Sequence, residues 1–222
     1  AIGSAIKTLK KLEITKAVLL LPDEKPFGLI KSRLLRQIVI ISYIAEYEFE
    51  KYKSDKKEVK EWQGELLLCL KKKKKKSFAL NLQEGEVVGN ATNVARYFAD
   101  LPANYLTPKT LANEAKNIAD SYNLKFNAFG KDKAAELGMG GFLAVDSGSD
   151  EDGQFVTLEY NCGKKDAPTI ALVGKGVTFD TGGISLKPAE YMTGMKFDMS
   201  GAAAVIATMG AVAQLKPEVN VV

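Results

Sequence analysis

The polar and apolar positions change rhythm several times along the chain. Residues 1 to about 82 alternate between two periods. Ile2 to Leu12 places apolar residues at helical spacing among lysines, which predicts an amphipathic helix. Lys16 to Leu21 is a short apolar run closed by Pro22 and Asp23, which predicts a buried strand. Phe27 to Ala45 returns to helical spacing, Tyr47 to Lys57 is a charged and aromatic connector, and Glu65 to Leu70 is a second strand.

Near Gln83 the texture shifts. Val87, Val88, Ala91, Val94, Ala95 and Phe98 recur at helical spacing and stop before Pro102, predicting a connecting helix over about 84–101. Thr107 and Pro108 read as the N-cap and first position of another helix. A strand is expected at Leu124 to Phe129, then a glycine-rich turn at Gly138 to Gly141, then strands at Phe142 to Val145 and Phe155 to Tyr160. The run Ala167 to Gly174 is almost wholly apolar, as a parallel strand covered on both faces would be. Met199 to Leu215 is apolar nearly all round and rich in Ala and Gly, so it predicts a buried helix. Pro217 ends it and Glu218 to Val222 begins another strand, completing a βαβ unit. The fold class is therefore α/β. A partial N-terminal α/β domain (1–82) is joined by the long helix to a truncated α/β domain (83–222) with a mostly parallel central sheet.

Composition narrows the chemistry. The chain has no histidine, which excludes a Ser-His-Asp triad, a Cys-His dyad and any His-ligated metal. Cys69 and Cys162 stand alone, giving neither a zinc knuckle nor a disulfide framework, and suit a reducing compartment. No apolar run approaches the ~20 residues that span a bilayer, so no membrane partner is expected, and the N-terminal stretch does not read as a signal peptide. Net charge is +4, but Lys71 to Lys76 alone contribute +6. That run can attract a phosphate backbone. The competing reading is a solvated loop, because no aromatic or Arg residues are interleaved to read bases.

The candidate chemistry lies in V-G-K-G-V-T-F-D-T-G-G-I-S-L-K-P, Val173 to Pro188, on the loop leaving the apolar run at 167–174. Ligand sites of open α/β sheets lie beyond the carboxyl ends of strands. Lys175, Asp180 and Lys187 sit there, and Asp198 comes just before the buried helix. Two carboxylates can bind a divalent ion, a lysine beside a dication can give up its proton and ligate, and a protonated lysine can stabilise an oxyanion. Each residue also has a plainer reading: a solvated lysine, a turn aspartate before T-G-G, an aspartate favouring a helix N-terminus. The nucleotide motifs G-x-x-x-x-G-K-[ST] and G-x-G-x-x-G are absent.

This stretch, followed by M-K-F-D-M-S-G-A-A-A-V (Met195 to Val205), closely resembles the leucyl (cytosol) aminopeptidase family. L-P-A-N-Y-L-T-P (Leu101 to Pro108) and E-Y-E-F-E-K-Y-K-S-D-K-K (Glu46 to Lys57) are similar to that family as well, so the resemblance runs from about Tyr43 to Val222. It implies a cytoplasmic, hexameric exopeptidase that removes N-terminal, leucine-like residues from peptides. It also implies two zinc or manganese ions, attack by a metal-bridging water, and a bicarbonate ion as base. By motif, Lys175 and Asp198 would be ligands of one metal, Asp180 would bridge both, and Lys187 would be the catalytic lysine. Met195 and Met192 are candidate walls of a substrate pocket or, equally, core residues. The family's later segment N-T-D-A-E-G-R, which supplies further ligands and the bicarbonate-binding Arg, is not found in these residues. The expectation is an interior piece of a longer aminopeptidase, inactive alone. The alternative is a non-catalytic nucleic-acid-binding or assembly module using Lys71 to Lys76.

Overall fold

A computed structural model describes residues 1–21, 31–54, 64–69 and 75–222. The chain forms two compact units, Ala1–Asn93 and Val94–Val222.

In the first unit, α1 (Ile2–Lys11) leads to β1 (Lys16–Leu20), then come α2 (Lys31–Glu46) and β2 (Glu65–Cys69). β1 and β2 pair in parallel, with Val18 opposite Leu67 and Lys16 opposite Glu65. Successive strand residues face opposite sides. One face, carrying Ala17, Leu19, Leu66 and Leu68, is half-buried, and the other leaves Val18, Leu20 and Leu67 exposed. The two helices bury Ile6, Leu35 and Ile38. A helix leaves its last carbonyls without partners of their own. Those of α2 are met from outside: Lys10 Nζ donates to Glu46 O at 3.1 Å and Asn93 Nδ2 to Tyr43 O at 2.8 Å. The elements expected at 2–12, 16–21 and 65–70 are all present, and the helix expected at 27–45 is described from Lys31 onward.

The connecting helix, α3, spans Lys75–Asp100 and so starts well before residue 84. Its leading turns carry Ser77 to Gln83, with no Gly or Pro to stop them. Lys71 to Lys74, the bulk of the lysine run, lie outside the described residues; Lys75 and Lys76 open α3.

The second unit is built on α4 (Pro108–Tyr122) and α8 (Ser200–Leu215). α4 begins as its sequence predicts: Thr107 accepts from Thr110 N–H, Pro108 takes the first turn, and Asn123 ends it in the left-handed conformation. Leu111, Ala112, Ala115 and Ala119 are buried on α4, and Ala203, Ile206, Ala207 and Met209 on α8. The small residues of α8 admit close packing, with Gly210 facing Ile118 and Tyr122 of α4. Length and composition alone would let the helical stretch Ala189–Leu215 cross a bilayer, contrary to the sequence expectation. In this unit its α8 portion is a core helix.

β3 (Lys125–Phe129) and β4 (Phe155–Glu159) pair antiparallel. β5 (Thr169–Ile170) and β6 (Asn220–Val221) pair in parallel, and a bridge from Tyr160 to Val221 links the two ladders. This unit thus holds one antiparallel and one parallel two-stranded ladder. Two expectations are corrected. Residues 142–145 belong to a helix, α6 (Gly140–Asp146), which follows α5 (Lys131–Glu136) across a turn where Gly138 has φ +67°. A four-residue apolar run fits either period, and here Phe142 turns its edge to Phe155, with ring centroids 6.4 Å apart. The apolar run at 167–174 forms only a two-residue ladder, and Val173 is 94% exposed. No described element covers its outer side, so apolarity there does not translate into burial.

Candidate metal centre

The loop after β5 is pinned to the start of α8 by main-chain contact. Ala202 N–H, one of the donors a helix N-terminus leaves free, reaches Lys175 O at 2.8 Å. The approach is close enough to demand glycine on both sides. A Cβ on Gly174 would lie 2.5 Å from Gly201 O, and one on Gly201 would lie 2.8 Å from Lys175 N. This contact sets Lys175 beside Asp198, which ends the short 3-10 turn Thr193–Phe197 that follows α7 (Ala189–Met192).

Farther along, Asp180 folds the T-G-G segment. Its Oδ1 accepts Gly182 N–H at 2.8 Å, and Gly182 and Gly183 have φ of +90° and +75°, a region open to glycine. The turn brings Lys187 back, its N–H bonding Thr181 O at 2.9 Å. Asp180 is therefore a turn residue as well as a candidate site residue.

The four charged groups form an alternating chain. Lys175 Nζ pairs with Asp198 Oδ2 and stands 4.0 Å from Asp180 Oδ2. Asp180 Oδ2 in turn accepts from Lys187 Nζ at 2.8 Å. Lys187 Nζ also contacts Met195 Sδ at 2.8 Å. Lys175 is the more open lysine, with its side chain 56% exposed against 28% for Lys187. The Lys187 hydrogen bond, followed by that of Gly182 N–H, holds the Asp180 carboxyl below its ordinary range.

Lys175, Asp180, Lys187, Asp198 and Met195 are thus brought together. Met192 sits half-buried in α7, with no hydrogen bond or ion pair to the four charged groups. Two participants were not legible beforehand: the Gly182 N–H, and the thioether of Met195 as a contact of Lys187. The T-G-G signal for a left-handed turn could have suggested the first. The second joins residues eight apart, and nothing in their spacing announces it.

Among the described residues no three of His, Cys, Asp and Glu gather as a metal cluster. Two carboxylates and one lysine do converge, and the Lys175 ammonium already places a positive charge between Asp198 and Asp180. Oxygen donors plus an amine fit one divalent ion of the hard or borderline kind. They do not by themselves complete a pair of ions.

Residues 93–222, more than half of the chain, match the profile of the cytosol aminopeptidase family, catalytic domain. The chain belongs to this family. A probable cytosol aminopeptidase of Acidobacterium capsulatum is 36% identical over 223 aligned residues, covering all of this chain and 43% of the relative. Among solved structures, the bottromycin maturation enzyme BotP in complex with Mn superposes with a TM-score of 0.84 at 29% identity, over 99% of this chain and 44% of BotP. A second BotP structure gives 0.83 at the same identity, again over 44% of its length. The chain therefore spans less than half the length of these relatives.

Proposed function

We propose that the protein serves a metal-dependent aminopeptidase and supplies the amine-and-carboxylate part of its metal site together with its electrophilic lysine. The observation that carries this is the convergence of Lys175, Asp180, Asp198 and Lys187 on one loop and one turn. Lys175 Nζ, Asp198 and Asp180 would hold the ion. A bound divalent ion would supply the charge that acidifies water and polarises a peptide carbonyl.

The chain's own groups have separable tasks. Lys175 Nζ now donates to Asp198 Oδ2, so ligation through this nitrogen requires that its proton leave. Metal affinity should therefore rise with pH. Asp180 Oδ2 and Met195 Sδ hold the Lys187 ammonium in place. A fixed cation of this kind is suited to stabilise the oxyanion of an attacked carbonyl, because its orientation is set before the reaction. Peptides with a free amino terminus are the substrates this reading implies, and zinc or manganese the ions. The manganese in the BotP structure and the aminopeptidase name of the bacterial relative support it. Two ions, a hexamer and a cytoplasmic setting belong to the same proposal and rest on the family likeness.

Two carboxylates are few for a pair of ions, so these 222 residues alone are expected to bind one ion weakly and to turn over little substrate. The test is Mn2+ titration by electron paramagnetic resonance, with leucine p-nitroanilide hydrolysis in parallel. Saturable binding lost in Asp180→Asn supports the reading. Binding indifferent to that substitution contradicts it, and robust hydrolysis would contradict the expectation of an incomplete site.

A further inference from the structure

The turn that carries Met195 and Asp198 is fastened from its other side. In a 3-10 helix, side chains three residues apart eclipse one another. Met195 and Asp198 accordingly share one side of the Thr193–Phe197 turn, where they meet Lys187 and Lys175. Lys196 lies about a third of a turn away and reaches in another direction. Its Nζ donates to the main-chain oxygen of Asp100 at 2.9 Å. Asp100 is the last residue of α3, within the same compact unit. A helix C-terminus exposes carbonyls that need outside donors and favours a positive charge. The same ammonium stands 4.7 Å from the centroid of the Phe197 ring, which adds a cation–π attraction. Beyond the turn, Met199 is fully buried and Ser200 Oγ donates to Phe197 O at 2.6 Å.

We propose that Lys196 is a positioning residue for the candidate metal centre. It ties the turn to the end of α3 and thereby fixes Asp198 against Lys175 and Met195 against Lys187. The inference rests on the reading of those residues as a metal site, and deepens it. Removing the donor takes away the restraint on the middle of the turn while leaving the Met199 anchor intact. Asp198 and Met195 then gain freedom, although neither has been altered. Arginine reaches as far, keeps the charge and can donate to the same carbonyl.

The test uses the full chain with 13C-methyl-labelled methionine. The chain holds five methionines, and the Met195 resonance is assigned with Met195→Leu. Lys196→Leu is expected to shift or broaden the Met195 methyl signal while that of Met209, deep in α8, stays in place. It is also expected to weaken Mn2+ affinity about tenfold, as loss of a ligand-orienting partner does elsewhere. Lys196→Arg should restore both. An unmoved Met195 methyl in Lys196→Leu would overturn the proposal. So would joint movement of Met195 and Met209, which reports general loosening of the unit. A wild-type chain that binds no Mn2+ would overturn the metal reading alone, because the methyl signals still decide whether Lys196 holds the turn.

Discussion

Helix α8 and the loop that docks on it are neighbours in one unit and are held by opposite means. α8 is apolar nearly all round and fixed by packing: Met209 is fully buried, and Ala203, Ile206 and Ala207 are buried with it. The loop from Val173 to Pro188 leaves Val173, Ile184 and Leu186 exposed and is held by a main-chain contact and an alternating chain of lysines and aspartates. Packing is indifferent to pH and ions, whereas ion pairs at a surface answer to both. The difference places a responsive charged loop on an unresponsive platform, an arrangement that suits the proposed metal site.

That contrast can be broken most forcefully from the platform. Met209→Ala should cost about 2–5 kcal/mol of stability, as truncation of a fully buried side chain does, read as a lowered midpoint of denaturant unfolding. Gly201→Ala attacks the seam. Its Cβ would lie 2.8 Å from Lys175 N, so the loop must shift, at about 1–3 kcal/mol, and Mn2+ binding should fall with it. If Gly201→Ala bound Mn2+ normally, the seam would not position Lys175.

Asp180→Asn tests the loop alone. It should abolish measurable Mn2+ binding while moving the unfolding midpoint far less than Met209→Ala does. A pH dependence sharpens the same point. The folded state holds the Asp180 carboxyl below its ordinary range, so it favours the ionised form more than the unfolded chain does. The resulting stabilisation is complete above the unfolded carboxyl value of about 3.9 and is lost as pH falls through the folded value. The stability difference between wild type and Asp180→Asn should therefore be present at neutral pH and shrink in strong acid. The smallest effect is expected at Ile184, whose exposure leaves nothing to lose: Ile184→Ser should stay within about 0.5 kcal/mol of wild type.

What the sequence disclosed follows the same division. Elements that rest on local chemistry were legible. Thr107 and Pro108 declare a helix start whatever surrounds them, and the apolar period of α8 requires burial wherever that helix packs. Elements defined by what lies beside them were not. Phe142 to Val145 is too short for its period to decide, and in the fold it lies in a helix that follows the Gly138 turn and sets Phe142 against Phe155. The run at 167–174 is apolar enough for a covered strand, yet the described residues cover only one edge of it. The site shows the same limit. Lys175, Asp180 and Lys187 stand out by residue type in a glycine-rich loop, and Asp198 by its place just before α8. Their order as an alternating chain, and the Lys187–Met195 contact, depend on a fold-back that spacing does not encode.

If Lys175 ligates as proposed, it must give up a proton, because its Nζ now donates to Asp198 Oδ2. Calorimetry of Mn2+ binding in two buffers of different ionisation enthalpy counts the protons released. About one proton per ion is predicted for the wild-type chain near neutral pH, with affinity rising as pH rises and with both effects lost in Lys175→Met. Binding that releases no proton, and that Lys175→Met leaves unchanged, would contradict ligation by Lys175.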